Sequence, residues 1–188
     1  MNHLVDNNIL NIHQYAYQSG RSTVSAARDL KARVLAHLDG GRQVAAVFCD
    51  LSRAFEMVDH QLLLKKMWCY GVGGNFHKLI ASLLKNRVQR THVLNSKSSL
   101  DPTGECAVPQ GSMIGNYLFL LLINDITAAS SDAEYVTYAD DTCIIVNDSS
   151  IENLTLKLTH VMTQISKWFR ANGMLLNVEK TNLIHFQL

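Results

Sequence analysis

Two short apolar runs joined by adjacent carboxylates constrain this chain more than any other stretch: Val136-Thr137-Tyr138-Ala139-Asp140-Asp141-Thr142-Cys143-Ile144-Ile145-Val146. The flanks are rich in β-branched and aromatic residues, which fit a pleated, half-buried surface, so a hairpin with the acids at its bend is predicted. Side chains alternate along a strand, and neighbouring aspartates share one site only where a tight turn breaks that alternation. Asp-Asp is also ordinary turn chemistry, so the pair alone leaves both readings open. Asp50 tips the balance. It ends the apolar run Val44-Ala45-Ala46-Val47-Phe48-Cys49, of buried-strand length, and precedes a helical pattern. A strand ending in Asp beside a hairpin carrying Asp-Asp can bring three carboxylates together, and such oxygen ligands suit Mg2+ or Mn2+. Two such ions roughly 3.5 to 4 Å apart hold the attacking and leaving oxygens of a phosphoryl transfer.

The 188 residues, 47% of them apolar, are enough for one domain with a sizeable core. No basic segment followed by an apolar one opens the chain, and the longest apolar run, Tyr117 to Ile123, is too short to span a bilayer. A soluble intracellular protein, nuclear or cytoplasmic, is expected. Cys49, Cys69, Cys106 and Cys143 are scattered without a Cys-x-x-Cys pair, which signals neither zinc nor a disulfide framework and suggests buried free thiols. A net charge of +1 hides an asymmetry: residues 60–100 hold seven basic and no acidic side chains, residues 101–188 four basic and ten acidic. Lys65, Lys66, Lys78, Lys85, Arg87, Arg90 and Lys97 can form a phosphate-binding face or a set of solvated helix faces.

In chain order, Ser22 or Thr23 is predicted to cap a helix over about 24–38, with Leu30, Val34, Leu35 and Leu38 on one stripe and Gly40-Gly41 ending it. After the strand to Asp50, Asp59 is the expected N-cap of a helix stopping at Gly71. Asn75 is the expected cap of another, with Phe76, Leu79, Ile80, Leu83 and Leu84 on one face. Residues 88–94 and 103–108 are predicted strands around a polar loop, 95–102. Pro109-Gln110-Gly111-Ser112 reads as a turn into an apolar helix through Leu118, Phe119, Leu122 and Ile123. Beyond the hairpin come a long helix through Ile151, Leu154, Val161, Ile165 and Phe169, closed by Gly173, and two strands, 175–178 and 183–186. The order implies an α+β fold: a split β-α-β antiparallel sheet with helices on one face, the other face open to a duplex.

Asp50-Leu51-Ser52-Arg53-Ala54-Phe55-Glu56-Met57-Val58-Asp59-His60, Val108-Pro109-Gln110-Gly111-Ser112, Tyr138-Ala139-Asp140-Asp141-Thr142 and Leu176-Asn177-Val178-Glu179-Lys180-Thr181, in this order, resemble successive motifs of the reverse transcriptases of non-LTR (LINE-type, jockey-like) retrotransposons. Gly20-Arg21-Ser22-Thr23 and Leu122-Ile123-Asn124-Asp125-Ile126 match that group too. The resemblance implies a right-hand polymerase palm (residues 43–188, with finger insertions) and partial fingers (1–42) in a single truncated reverse transcriptase domain. It implies copying of an RNA template from a DNA primer with dNTPs and Mg2+, Mn2+ being the alternative ion.

By the same resemblance Asp50 and Asp140 are metal ligands with Asp141 their companion, and all three are catalytic. Phe55 is the steric gate that favours dNTP over NTP, the other reading being a core aromatic beside Ala54. Gln110 lines the nucleotide pocket, Gly111 lets the backbone approach closely, Lys180 stands near the leaving pyrophosphate, and Arg53 meets a phosphate; solvated surface side chains are the alternatives for the last two. Lys85, Arg87 and Arg90 are the candidate nucleic-acid contacts. The chain departs from the family pattern at Glu56, where Asp is usual, at Gln18, where an arginine is frequent, and at Asn116, where Pro is usual. The expected surroundings are a larger polyprotein whose thumb and endonuclease are absent here, with no membrane partner. Two functions are weighed: an active RNA-directed DNA polymerase domain, and an inactive retrotransposon remnant that only binds nucleic acid or protein. A viral-type RNA polymerase is disfavoured by Phe55 and Tyr138-Ala139.

Overall fold

Ser22 opens a helix, α1 (Thr23–Asp39), by a reciprocal capping box with Ser25, and Gly40 closes it. The computed structural model describes Leu4, Asn7, residues 9–109 and residues 111–187, Met113 by its backbone alone. After α1 come β1 (Gln43–Cys49), α2 (His60–Cys69), α3 (Gly74–Leu84), β2 (Val88–Gln89), β3 (His92–Val93), β4 (Ser96–Lys97), β5 (Asp101–Pro102) and α4 (Met113–Ile123). A 3-10 turn (Ile126–Ala129), β6 (Glu134–Tyr138), β7 (Asp141–Asp148), α5 (Ile151–Ala171) and β8 (Asn182–Phe186) complete the order. Among the described residues no helix is long and apolar enough to cross a membrane. The chain divides into two compact units, residues 1–54 with 123–188, and residues 55–122.

The first unit is built on a four-stranded sheet in the order β6-β7-β1-β8, with antiparallel neighbours throughout. The predicted β1 and the 136–146 hairpin are both present. Alternate residues Val44 and Ala46 of β1, Val136 of β6, and Cys143 and Ile145 of β7 form one core cluster with Ala26, Val34 and Leu38 of α1. Ala45, Val47, Ile144 and Val146 point to the opposite face and are buried as well. Helix α5 runs along β7 and β1 and buries Leu154, Val161, Ile165 and Phe169. The α+β antiparallel sheet is as expected, with one refinement: the second face is not wholly open. Helix α1 covers its end near Glu134, to which Arg33 and His37 bond at 3.3 and 2.5 Å. Toward the other end of that face, Phe48 and Tyr138 remain only half-buried.

Several local expectations are corrected. Leu35 is 41% exposed and lies off the buried stripe of α1. Helix α3 starts early, with Gly73 rather than Asn75 at its N-cap, and Phe76, Leu79 and Leu83 of its apolar face are exposed while Ile80 and Leu84 are buried. Residues 88–102 form two short ladders, β2 with β5 and β3 with β4, and 103–108 is no strand beyond one bridge between Asp59 and Cys106. Residues 175–178 likewise make a single bridge, Leu176 to Leu51. Cys49 and Cys143 are buried, which pushes their thiols up to about 12, but Cys69 and Cys106 are exposed.

Candidate active site

Strand register brings the carboxylates together. In the β1–β7 ladder Cys49 pairs with Thr142, so one step further along both strands faces Asp50 toward Asp141. On the other side of β1, Phe48 pairs with Asn182 of β8, and just beyond that ladder the Asn177 N–H donates to the Asp50 carbonyl at 2.8 Å. Lys180 Nζ stands 4.0 Å from Asp50 Oδ2, at the outer edge of an ion pair. Asp140 lies in the two-residue connection between Tyr138 and Asp141, themselves a cross-strand pair. Asp50 and Asp140 are half-buried and Asp141 is exposed.

The Asp141 carboxyl is held above its usual range, first by partial desolvation and then by the negative charges of Asp140 and Asp50. The same acidic field acts on Tyr17, an exposed tyrosine with φ of 55°, whose phenol is raised by desolvation and then by Asp140. Oxygen donors with uncompensated negative charge fit a hard divalent cation. Among the described residues no three histidine, cysteine, aspartate or glutamate side chains are grouped closely enough to hold a metal ion as they stand. The donor chemistry therefore fits, and the three aspartates are electrostatic neighbours without forming a preassembled ligand cage.

Arg53 is exposed in the turn after Asp50, with φ of 50°, and the neighbouring Ser52 N–H donates to the Leu175 carbonyl at 3.0 Å. In the second unit, Phe55 is half-buried, and its ring stacks on Phe119, which is 0% exposed, at 4.5 Å between centroids and 24° between planes. Both readings of this side chain have a counterpart there, a packed face and an accessible one. Gly111 is exposed in the left-handed region at φ of 78°, which glycine adopts without strain; Gln110 lies outside the described residues. Lys85 is the exposed C-cap of α3, Arg87 borders a groove with His60, Gln61 and Glu105, and Arg90 is exposed in the connection between β2 and β3.

Sequence reasoning assigned no element to residues 13–17 and missed their contribution. Gln14 forms a parallel bridge with Thr137 of β6, and the Asp140 charge acts on the Tyr17 phenol. No local pattern marks a pairing between segments more than a hundred residues apart.

Residues 1–187 match the family described as reverse transcriptase (RNA-dependent DNA polymerase). The chain is similar to a probable RNA-directed DNA polymerase from transposon BS of Drosophila melanogaster, 26% identical over 185 residues, covering 95% of this chain and 20% of that protein. It is also similar to the RNA-directed DNA polymerase from mobile element jockey of the same organism, 24% identical over 180 residues, covering 92% of this chain and 19% of that one. The chain thus spans about a fifth of the length of these relatives. Among solved structures, apo telomerase from Candida tropicalis superposes with a TM-score of 0.69 at 12% identity, covering 99% of this chain and 35% of that one. A form of it truncated from the C-terminal domain gives 0.69 at 14% identity, covering 100% and 39%. At such identities the likeness is one of fold. The match over nearly the whole chain, with an antiparallel sheet that brings Asp50 alongside the Asp140-Asp141 turn, places this protein in the reverse transcriptase family.

Proposed function

We propose that this chain is an RNA-directed DNA polymerase domain of a mobile element, joining dNTPs to a primer 3'-hydroxyl on an RNA template. The observation that supports it most is the β1–β7 register, which carries Asp50 alongside the hairpin of Asp140 and Asp141 and leaves Asp141 with a raised carboxyl. These three aspartates would hold the divalent cations, Mg2+ or Mn2+. When bound, such ions supply stabilisation of the charge that develops on the α-phosphate and on the attacking oxygen. Lys180, beside Asp50, adds a mobile positive charge for the departing pyrophosphate. Arg53 is exposed in the turn that follows Asp50, where a phosphate can reach it. The Phe55 ring, braced on Phe119, would be the bulky group that disfavours a 2'-hydroxyl, and Gln110 and Gly111 would contribute to nucleotide binding. Lys85, Arg87 and Arg90 take the nucleic-acid phosphates, and an intracellular location follows from the substrates.

The test is extension of a DNA primer on an RNA template by the chain with dNTPs and Mg2+, beside Asp140→Ala. Extension should occur and fall by a factor of about 1,000 or more in the variant, as expected when a cation ligand is removed. Extension that survives the substitution would remove Asp140 from the site. No extension, with template binding retained, would leave a binding module.

A further inference from the structure

The backbone of the carboxylate turn is held from outside the hairpin. Ala139, directly before Asp140, has φ of 53°, a left-handed conformation disfavoured for a residue with a Cβ. Such a conformation persists only where its surroundings enforce it. The Ala139 amide is bonded by Gln14, which is 4% exposed. Its Oε1 accepts the Ala139 N–H at 3.0 Å and the Ala16 N–H at 2.8 Å.

Gln14 is itself fixed on several sides. The Tyr15 N–H donates to the Thr137 carbonyl at 2.8 Å, and the Thr137 N–H to the His13 carbonyl at 2.8 Å, so residues 13–15 add a parallel segment to the free edge of β6. The Gln14 carbonyl accepts from Arg21 Nη1 at 2.9 Å and from Gln18 Nε2 at 3.0 Å. Arg21 also bonds the Ile12 carbonyl and lies over the Tyr15 ring at 4.9 Å. A buried acceptor on a pinned backbone is a rigid support, and it reaches the amide one residue before the first of the paired aspartates.

We propose that Gln14 is a positioning residue for the carboxylate turn. Through its single oxygen it sets the backbone direction from which Asp140 and Asp141 leave the hairpin, and with it their separation from Asp50. This deepens the polymerase reading and rests on it. Gln14 touches no reacting atom and acts through the Ala139 amide. The acceptor oxygen carries the role, so glutamate preserves it and methionine, of similar length and shape, does not.

The experiment compares Gln14→Met and Gln14→Glu with the wild-type chain by primer extension across a Mg2+ titration, by amide hydrogen exchange at Ala139, and by the Mg2+-dependent rise in Tm. Gln14→Met should lower kcat about ten-fold or more and raise the Mg2+ needed for half-maximal rate several-fold, with primer-template Kd within about two-fold of wild type. The Ala139 amide should exchange at least ten-fold faster, and Gln14→Glu should restore most of each loss. A Gln14→Met chain with wild-type Mg2+ response and wild-type protection at Ala139 would overturn the proposal. So would a folded Gln14→Glu chain as impaired as Gln14→Met, since an acceptor oxygen in the same place would then be present without effect. A wild-type chain that fails to extend a primer counts against the polymerase reading alone, because the exchange at Ala139 and the Mg2+-dependent Tm still decide the role of Gln14.

Discussion

Ionising Asp141 works against folding, because desolvation and the charges of Asp140 and Asp50 raise its carboxyl pKa above the value it has in the unfolded chain. The folded state therefore holds this proton more tightly than the unfolded one. Its contribution to stability is fully present below the unfolded value of about 3.9 and is lost as pH rises through the higher folded value. Asp141→Asn should accordingly raise Tm near neutral pH and leave it unchanged at about pH 3, where both side chains are neutral; thermal melts across that interval check the sign. Adding Mg2+ should raise the Tm of the wild-type chain by neutralising the same repulsion, and should raise that of Asp141→Asn less. A variant that melts lower than wild type near neutral pH would mean that Asp141 is stabilised by a partner rather than strained by its neighbours.

Helix α4 is entered through a turn that tolerates no side chain at one point. The Pro109 carbonyl accepts from Ser112 Oγ at 2.8 Å, the Gly115 N–H donates to Ser112 Oγ at 3.1 Å, and a Cβ on Gly115 would lie 2.4 Å from the Pro109 oxygen. Alanine normally gains about 1 kcal/mol over glycine inside a helix, whereas overpacking against a backbone oxygen costs about 1–3 kcal/mol. Gly115→Ala should therefore lower Tm, by about 2–4 °C for each kcal/mol in a domain of this size, and a rise in a thermal melt would show that the turn relaxes freely. Elements with local signals were legible beforehand: the Ser22 cap, the Asp59 cap bonded to the Leu62 N–H at 2.7 Å, β1, and the hairpin. What stayed hidden was set by partners distant in sequence. Residues 13–15 look irregular until β6 pairs with them, and 175–178 looks like a strand although its pairing with residues 50–52 amounts to one isolated bridge, Leu176 to Leu51. Phe76, Leu79 and Leu83 fit a helical stripe wider than the face α3 buries, because periodicity reports a capacity for burial and not the presence of a cover. The aspartates were singled out by the hairpin, the strand end and motif order, while Gln14 carries no such mark.

At the scale of the whole molecule the charges are sorted along the chain, seven basic and no acidic residues over 60–100 against ten acidic and four basic over 101–188. Such sorting favours a polyanion at the first segment and cations at the second, as the proposed nucleotidyl transfer on a template would need. Lys85, Arg87 and Arg90 occupy the end of α3 and the start of the exposed ladders that follow it, where Lys85 and Arg90 stand in solvent and Arg87 is half-buried. If they meet phosphates, reversing all three to glutamate should weaken primer-template binding about equally for unrelated sequences. The dependence of log Kd on log salt should flatten by about 0.7–0.9 for each phosphate that is no longer neutralised, since every neutralised phosphate releases condensed counterions. Binding measured by fluorescence anisotropy over a salt series checks both the weaker affinity and the slope. A uniform weakening with unchanged slope would instead mean that the substitutions disturb the fold, whereas unchanged affinity and slope would assign the phosphates to other cations of the chain.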